Sequence, residues 1–178
     1  MLPEEGAPPA EEFTGTDRPR PEAIGGINAI RRSLGLGDEE EALVHRVGRT
    51  LTAHVDEWID GFYTRLLTDP AAMRILNDDA RVIRLKRSLK SWFVELFTLP
   101  WNEDYERSRA NIGETHVRLL MPTYLMVVAM SRMRQDVCQT IERLWDGDPE
   151  EAREISSVVA RALDMELTLM LMAFRRSE

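Results

Sequence analysis

The stretch Ile112-Gly113-Glu114-Thr115-His116-Val117-Arg118-Leu119-Leu120-Met121-Pro122 decides how this chain is read. It closes an amphipathic helical pattern, and it carries one of only three histidines in 178 residues. Pro122 suits the first position of a following helix, where its missing N–H is not needed. An imidazole on the apolar side of a helix is either a satisfied core residue or a metal ligand, and the core role is the commoner one. A ligand needs one bare nitrogen. Its other nitrogen needs an acceptor to fix the tautomer, most simply a backbone carbonyl one turn earlier.

Outward from that stretch the pattern is helical almost everywhere. A helix over about 102–120 carries His116. Before it, Val82, Leu85, Leu89, Trp92, Phe93 and Leu96 share one side of a helix through about 97, capped by Asp78 or Asp79 and broken at Leu99-Pro100-Trp101. Leu43, Val44, Val47, Leu51 and Val55 mark a helix over about 38–55 with Asp38 as its N-cap. His45 and His54 fall on its outer side. Shorter helices are predicted over about 22–34 and 56–67, with a turn-rich piece over 71–77. Downstream, a helix from Pro122 to about Trp145 is followed by the turn Asp146-Gly147-Asp148-Pro149. The last helix, about 150–176, is apolar along Ile155, Val158, Val159, Ala162, Leu163, Leu167, Met170, Leu171 and Phe174. Strand patterns are absent from the sequence. Residues 1–21, with Pro3, Pro8, Pro9, Pro19 and Pro21 and few large apolar residues, are predicted to be a disordered tail ahead of one domain over 22–178. Helices this unequal, with the two longest last, favour an all-α, globin-like packing around a pocket over a symmetric four-helix bundle.

Composition narrows the function. A formal net charge of −8 argues against general nucleic-acid binding, which wants a basic face. The basic run Arg81, Arg84, Lys86, Arg87 and Lys90 reads as a solvated helix face. No apolar run is long enough for a membrane span. The start Met-Leu-Pro-Glu-Glu has no signal-peptide pattern. The single cysteine, Cys138, fits a reducing cytoplasm and excludes both a Cys-rich zinc site and a Cys-x-x-Cys-His attachment. Phosphate-binding Gly-Lys-Ser/Thr loops, His-Glu-x-x-His and Gly-x-Ser-x-Gly are missing, so no enzymatic turnover is expected.

The chain resembles the haem domain of the globin-coupled sensors of bacterial signalling proteins. Ile112-Gly113-x-x-His116-Val117-Arg118 resembles that family's proximal-histidine motif. Phe62-Tyr63-x-x-Leu66-Leu67 resembles the helix supplying its distal tyrosine, and the separation of 53 residues from Tyr63 to His116 is similar. Trp92-Phe93 and the Pro122 helix with Ala129-Met130 agree in order. The likeness covers roughly 22–176 and includes an extra N-terminal helix.

The resemblance implies haem b, held without a cysteine link, with His116 as the sole protein ligand to iron through Nε2. It implies a distal pocket with Tyr63 as hydrogen-bond donor to O2, lined by Phe62, Leu85, Ser88, Leu89, Trp92 and Phe93. CO and NO are the other candidate gases. One basic residue of the 81–90 run is expected on a haem propionate. It also implies a homodimer through the last two helices and an output domain or partner, a kinase, cyclase or chemotaxis transducer, beyond this chain. Two positions depart from the family. Leu120 stands where a small residue, often Gly, is usual, and Leu125 where a tyrosine is common, the nearest here being Tyr124. The alternatives are a haem-free dimerisation module and a haem redox enzyme.

Overall fold

In a computed structural model the described residues are 25–76 and 78–175, and all their regular structure is helical. The predicted tail and the predicted helix start at 22–24 lie outside them. The helices are α1 (Ile27–Leu34), α2 (Asp38–Leu51), α3 (Val55–Leu66), α4 (Pro70–Ile75), α5 (Asp79–Thr98), α6 (Glu103–Arg118), α7 (Thr123–Leu144) and α8 (Pro149–Arg175).

The last helix is the centre of the molecule. Ile155, Val159, Ala162, Leu163, Met165 and Leu169 of α8 are essentially inaccessible, and α1, α2, α6 and α7 all pack on it. A helix apolar on several sides is stable only when neighbours cover each of them. A second layer forms where α5 packs on α2 and α3, and α3 on α7, around Val44, Leu51, Val55, Phe93 and Leu96. No helix among the described residues is long and apolar enough to cross a membrane.

Helix boundaries follow the caps. Asp78 accepts from the Ala80 N–H, and Asn102 accepts from the Tyr105 N–H, starting α5 and α6. Three expected boundaries move. Gly37, not Asp38, is the N-cap of α2, because the Glu40 carboxylate takes the Gly37 N–H at 2.8 Å. Pro122 has an extended ψ of 132° and caps α7 instead of opening it. Asp148 accepts from the Glu150 and Glu151 N–H groups, which starts α8 at Pro149. The predicted 38–55 helix tightens into a 3-10 turn over Thr52–His54, and the short helix α4, starting at Pro70, takes up most of the predicted turn-rich piece. His45 and His54 are half-buried instead of outward. His45 Nε2 lies 3.0 Å from the Leu99 carbonyl and helps pin the α5–α6 loop.

The short α1 is clamped at both ends by charges that suit its dipole. Glu106 of α6 accepts the Ile27 N–H at 2.8 Å, and Arg161 of α8 donates to the carbonyls of Leu34 and Gly35.

Candidate functional site

His116 sits in the last turn of α6, half-buried. Its Nδ1 lies 2.8 Å from the Ile112 carbonyl, one turn earlier. A carbonyl only accepts, so this bond puts the proton on Nδ1 and leaves Nε2 of the neutral ring bare. That is the tautomer a metal ligand requires. Among the described residues, no group of three or more His, Cys, Asp or Glu is placed to form a metal cage, so His116 belongs to no such cluster.

The backbone around the ring is equally constrained. Met121 N–H bonds to the His116 carbonyl at 3.1 Å, and Leu120 N–H to the Val117 carbonyl at 2.9 Å. This paired ending of α6 puts Leu120 in the left-handed region, φ 53°, with its side chain 87% exposed. The residue that departs from the expected glycine is therefore the one in the conformation glycine favours. Gly113 has a different reason to lack a side chain. A Cβ there would stand 2.2 Å from the Met170 carbonyl oxygen, so α6 and α8 touch backbone to side-chain-free backbone one turn below His116.

Tyr63 lies on the inner side of α3 and is 5% exposed. Its ring meets Phe62 edge-on at 5.2 Å, and the Lys86 ammonium stands 5.8 Å from the ring centroid. Lys86 also pairs with Asp60 at 2.7 Å, as Lys90 does with Asp56. These two pairs, one turn apart on each helix, zip α3 to α5. The Tyr63 hydroxyl has no hydrogen-bond partner among the described residues. Burial pushes its pKa up to about 12, so it stays a protonated donor at ordinary pH.

The other predicted residues divide. Phe62, Leu85 and Leu89 are half-buried and pack against the core from the Tyr63 side. Trp92 and Phe93 lie deeper, Trp92 edge-on to Phe93 at 4.7 Å and Phe93 against Trp58 at 5.3 Å. Ser88 is exposed, its hydroxyl donating to the Arg84 carbonyl. The structure thus groups Tyr63, Phe62, Leu85 and Leu89 at the α3–α5 contact, while His116 stands on α6. Leu85 lies 13 residues before the end of α5 and His116 13 residues after the start of α6. At 1.5 Å per residue both are about 20 Å along their helices from the connecting loop. Two shallow hollows of about 260 and 290 Å³ lie elsewhere, on α6 at Glu103 to Ala110 and between α1 and α8.

Sequence reasoning passed over a buried charge cluster. Arg109 of α6 and Glu166 of α8 are both 0% exposed, and Arg109 Nε donates to Glu166 at 2.7 Å. Arg109 Nη1 donates to Glu95 at 2.5 Å, its guanidinium lies 4.1 Å over the Tyr105 ring, and the Tyr105 hydroxyl donates to Glu166. Burial is the largest single effect and opposes the guanidinium charge, but Glu166, Tyr105 and Glu95 together outweigh it and hold Arg109 above its ordinary pKa. Burial raises the Glu166 carboxyl, with Arg109 pulling it back. The Trp92 indole N–H also favours the carboxylate, although it falls outside hydrogen-bond geometry.

Among the described residues, eight α-helices, four of them packed on the last, with a tautomer-fixed histidine and a buried unpartnered tyrosine on separate helices, define a globin-type domain. Residues 26–178 match the sequence model of the family described as Protoglobin, and the chain belongs to that family. Among solved structures it is similar to the globin domain of a Geobacter sulfurreducens globin-coupled sensor. The identity is 28% and the TM-score 0.79, over 85% of this chain and 99% of that one. It is also similar to the globin domain of E. coli DosC. The ferric form shows 16% identity and TM-score 0.68 over 82% of this chain and 97% of that one, and the ferrous form 15% and 0.68 over 81% and 96%. The DosC likeness bears on the fold alone. The expected all-α globin fold and the sensor-globin resemblance are therefore established. The family implies haem, and the donor chemistry here fits it: an imidazole whose Nδ1 is taken by a backbone carbonyl, leaving Nε2 to bind, and a buried phenol donor.

Proposed function

We propose that this domain is a haem-based sensor of a diatomic gas, O2 first, with haem b as its cofactor. The observation that carries this reading is the 2.8 Å bond from His116 Nδ1 to the Ile112 carbonyl, which presents Nε2 as a ligand. Haem supplies the iron on which the gas binds. The chain's own residues then do three things. His116 holds the cofactor through Nε2. Tyr63 donates its hydroxyl toward the gas, favouring O2, which carries more negative charge than CO. Phe62, Leu85 and Leu89 keep that side apolar and dry. Ser88, facing solvent, has no part in this wall.

The domain's role is binding and signalling without turnover of its own, in the cytoplasm, ahead of an output domain or partner. Its signal path runs through α6 to α8. The exposed apolar residues Tyr124, Val127 and Val128 at the start of α7 share one helix face and are the surface for a second copy. Of the last two helices, α7 carries the exposed apolar residues, while Leu167, Leu171 and Met172 of α8 are half-buried.

The test is spectroscopic. Purified from haem-supplied cells, the chain should show a Soret band that shifts with CO and is lost in His116→Ala. A colourless preparation under those conditions rules the reading out.

A further inference from the structure

The Arg109–Glu166 pair does more than fill the core. A fully buried ion pair usually contributes little stability beyond well-packed apolar side chains of the same size. What it supplies is direction, because a guanidinium fork has fixed geometry and an apolar contact does not.

The place of this pair on α6 is specific. Arg109 and His116 are seven residues apart, which turns a helix through about 700°, about 20° short of two full turns. The two side chains therefore leave α6 on nearly the same side. Contacts between α6 and α8 advance in the same direction along both helices. Arg109 meets Glu166, and four residues on in each, Gly113 meets Met170. Gly113 also lies against Ala173, the level nearest His116. Gly113 has no side chain to interlock, so packing at that level resists neither rolling nor sliding of α6. The directional contacts that remain meet at Glu166 of α8: the Tyr105 hydroxyl, a single bond, and the fork of Arg109, which is held as well by Glu95 of α5 and the Tyr105 ring.

We propose that Arg109 is the positioning residue for His116: its buried bond to Glu166 sets the rotation of α6 against α8, so that movement of His116 reaches α8 as a unit. The proposal rests on the haem reading only for what His116 holds.

The test compares the parent with Arg109→Lys and with the double variant Arg109→Met/Glu166→Gln. The first keeps the charge and loses the fork. The second removes both fully buried charges, leaves the partly exposed Glu95 with the Ser91 hydroxyl, and keeps an acceptor for Tyr105. In the haem-free chains, amide hydrogen exchange over residues 112–121 should quicken by about tenfold, with residues 103–108 nearly unchanged. In the haem-loaded ferrous proteins, the iron–histidine stretching band should shift and broaden, and O2 and CO release should change by the same factor. Exchange that quickens equally along α6, or a band unmoved in Arg109→Lys, overturns the proposal. Arg109→Lys keeps the comparison open should the double variant fail to fold. A parent chain that takes up no haem overturns the functional reading instead, and the exchange comparison still decides the positioning.

Discussion

Leu120 holds a left-handed backbone with its side chain in water. That conformation costs a non-glycine residue roughly 1–2 kcal/mol. Glycine would relieve it but loses roughly 0.5–1 kcal/mol more backbone entropy on folding. No packing is lost, so Leu120→Gly should stabilise the domain by about 0.5–1 kcal/mol, seen as a higher denaturant midpoint at unchanged slope. A lower midpoint would show that the exposed leucine makes contacts in solution.

Tyr63 carries two predictions. Removing a hydrogen bond of about 1.5 kcal/mol makes O2 leave Tyr63→Phe about tenfold faster, with CO release within about twofold. Equal O2 release rates in the two proteins would remove Tyr63 as donor. Its pKa is raised by burial from an ordinary 10.0 to about 12. Between those values the unfolded chain releases the proton while the folded chain keeps it. The stability tied to this group is therefore whole below about pH 10 and falls as pH rises toward about 12. Denaturant midpoints across that window should fall less steeply in Tyr63→Phe than in the parent.

At the scale of elements, the α6–α8 contact depends on a missing side chain. A Cβ at Gly113 would stand 2.2 Å from backbone, where no rotamer change can make room, so the helices must separate. Gly113→Ala should destabilise the domain by about 1–3 kcal/mol, the usual range for overpacking, read by thermal or denaturant melts of the haem-free chain. A neutral outcome would mean the two helices already stand further apart. The glycine was visible in the sequence as part of Ile112-Gly113-x-x-His116, but its reason was not, because Met170 lies 57 positions away. The caps show the same limit at smaller range. Asp78 was recognisable as a cap because the partner N–H is two residues on. Gly37 displaced Asp38 because the Glu40 carboxylate reached back, and both arrangements were locally acceptable.

At the scale of the molecule, the outward α7 face should mediate self-association. Tyr124→Arg with Val127→Glu places charges on two exposed positions and should turn a dimer into a folded monomer, with its helical circular dichroism intact. Sedimentation velocity decides it, and a parent that is already monomeric removes this face as the interface. Helix order, the unequal lengths and the Tyr63–His116 spacing were all legible before any coordinates, because 3.6-residue periodicity, prolines and caps act within a few residues of where they are read. The family entered as a resemblance of the motifs around His116 and Tyr63, and the match over 26–178 shows it. Which way each face turned was decided only by tertiary packing. The apolar run of α8 was legible, but not that α1, α2, α6 and α7 would close over Ile155, Val159, Ala162 and Leu163. Arg109 and Glu166 drew no attention in the sequence, because their partnership joins residues 57 positions apart and leaves no local pattern. Periodicity reports that a helix has an apolar side. What covers that side, and which charge is closed inside with it, depends on chain segments brought together only in the folded molecule.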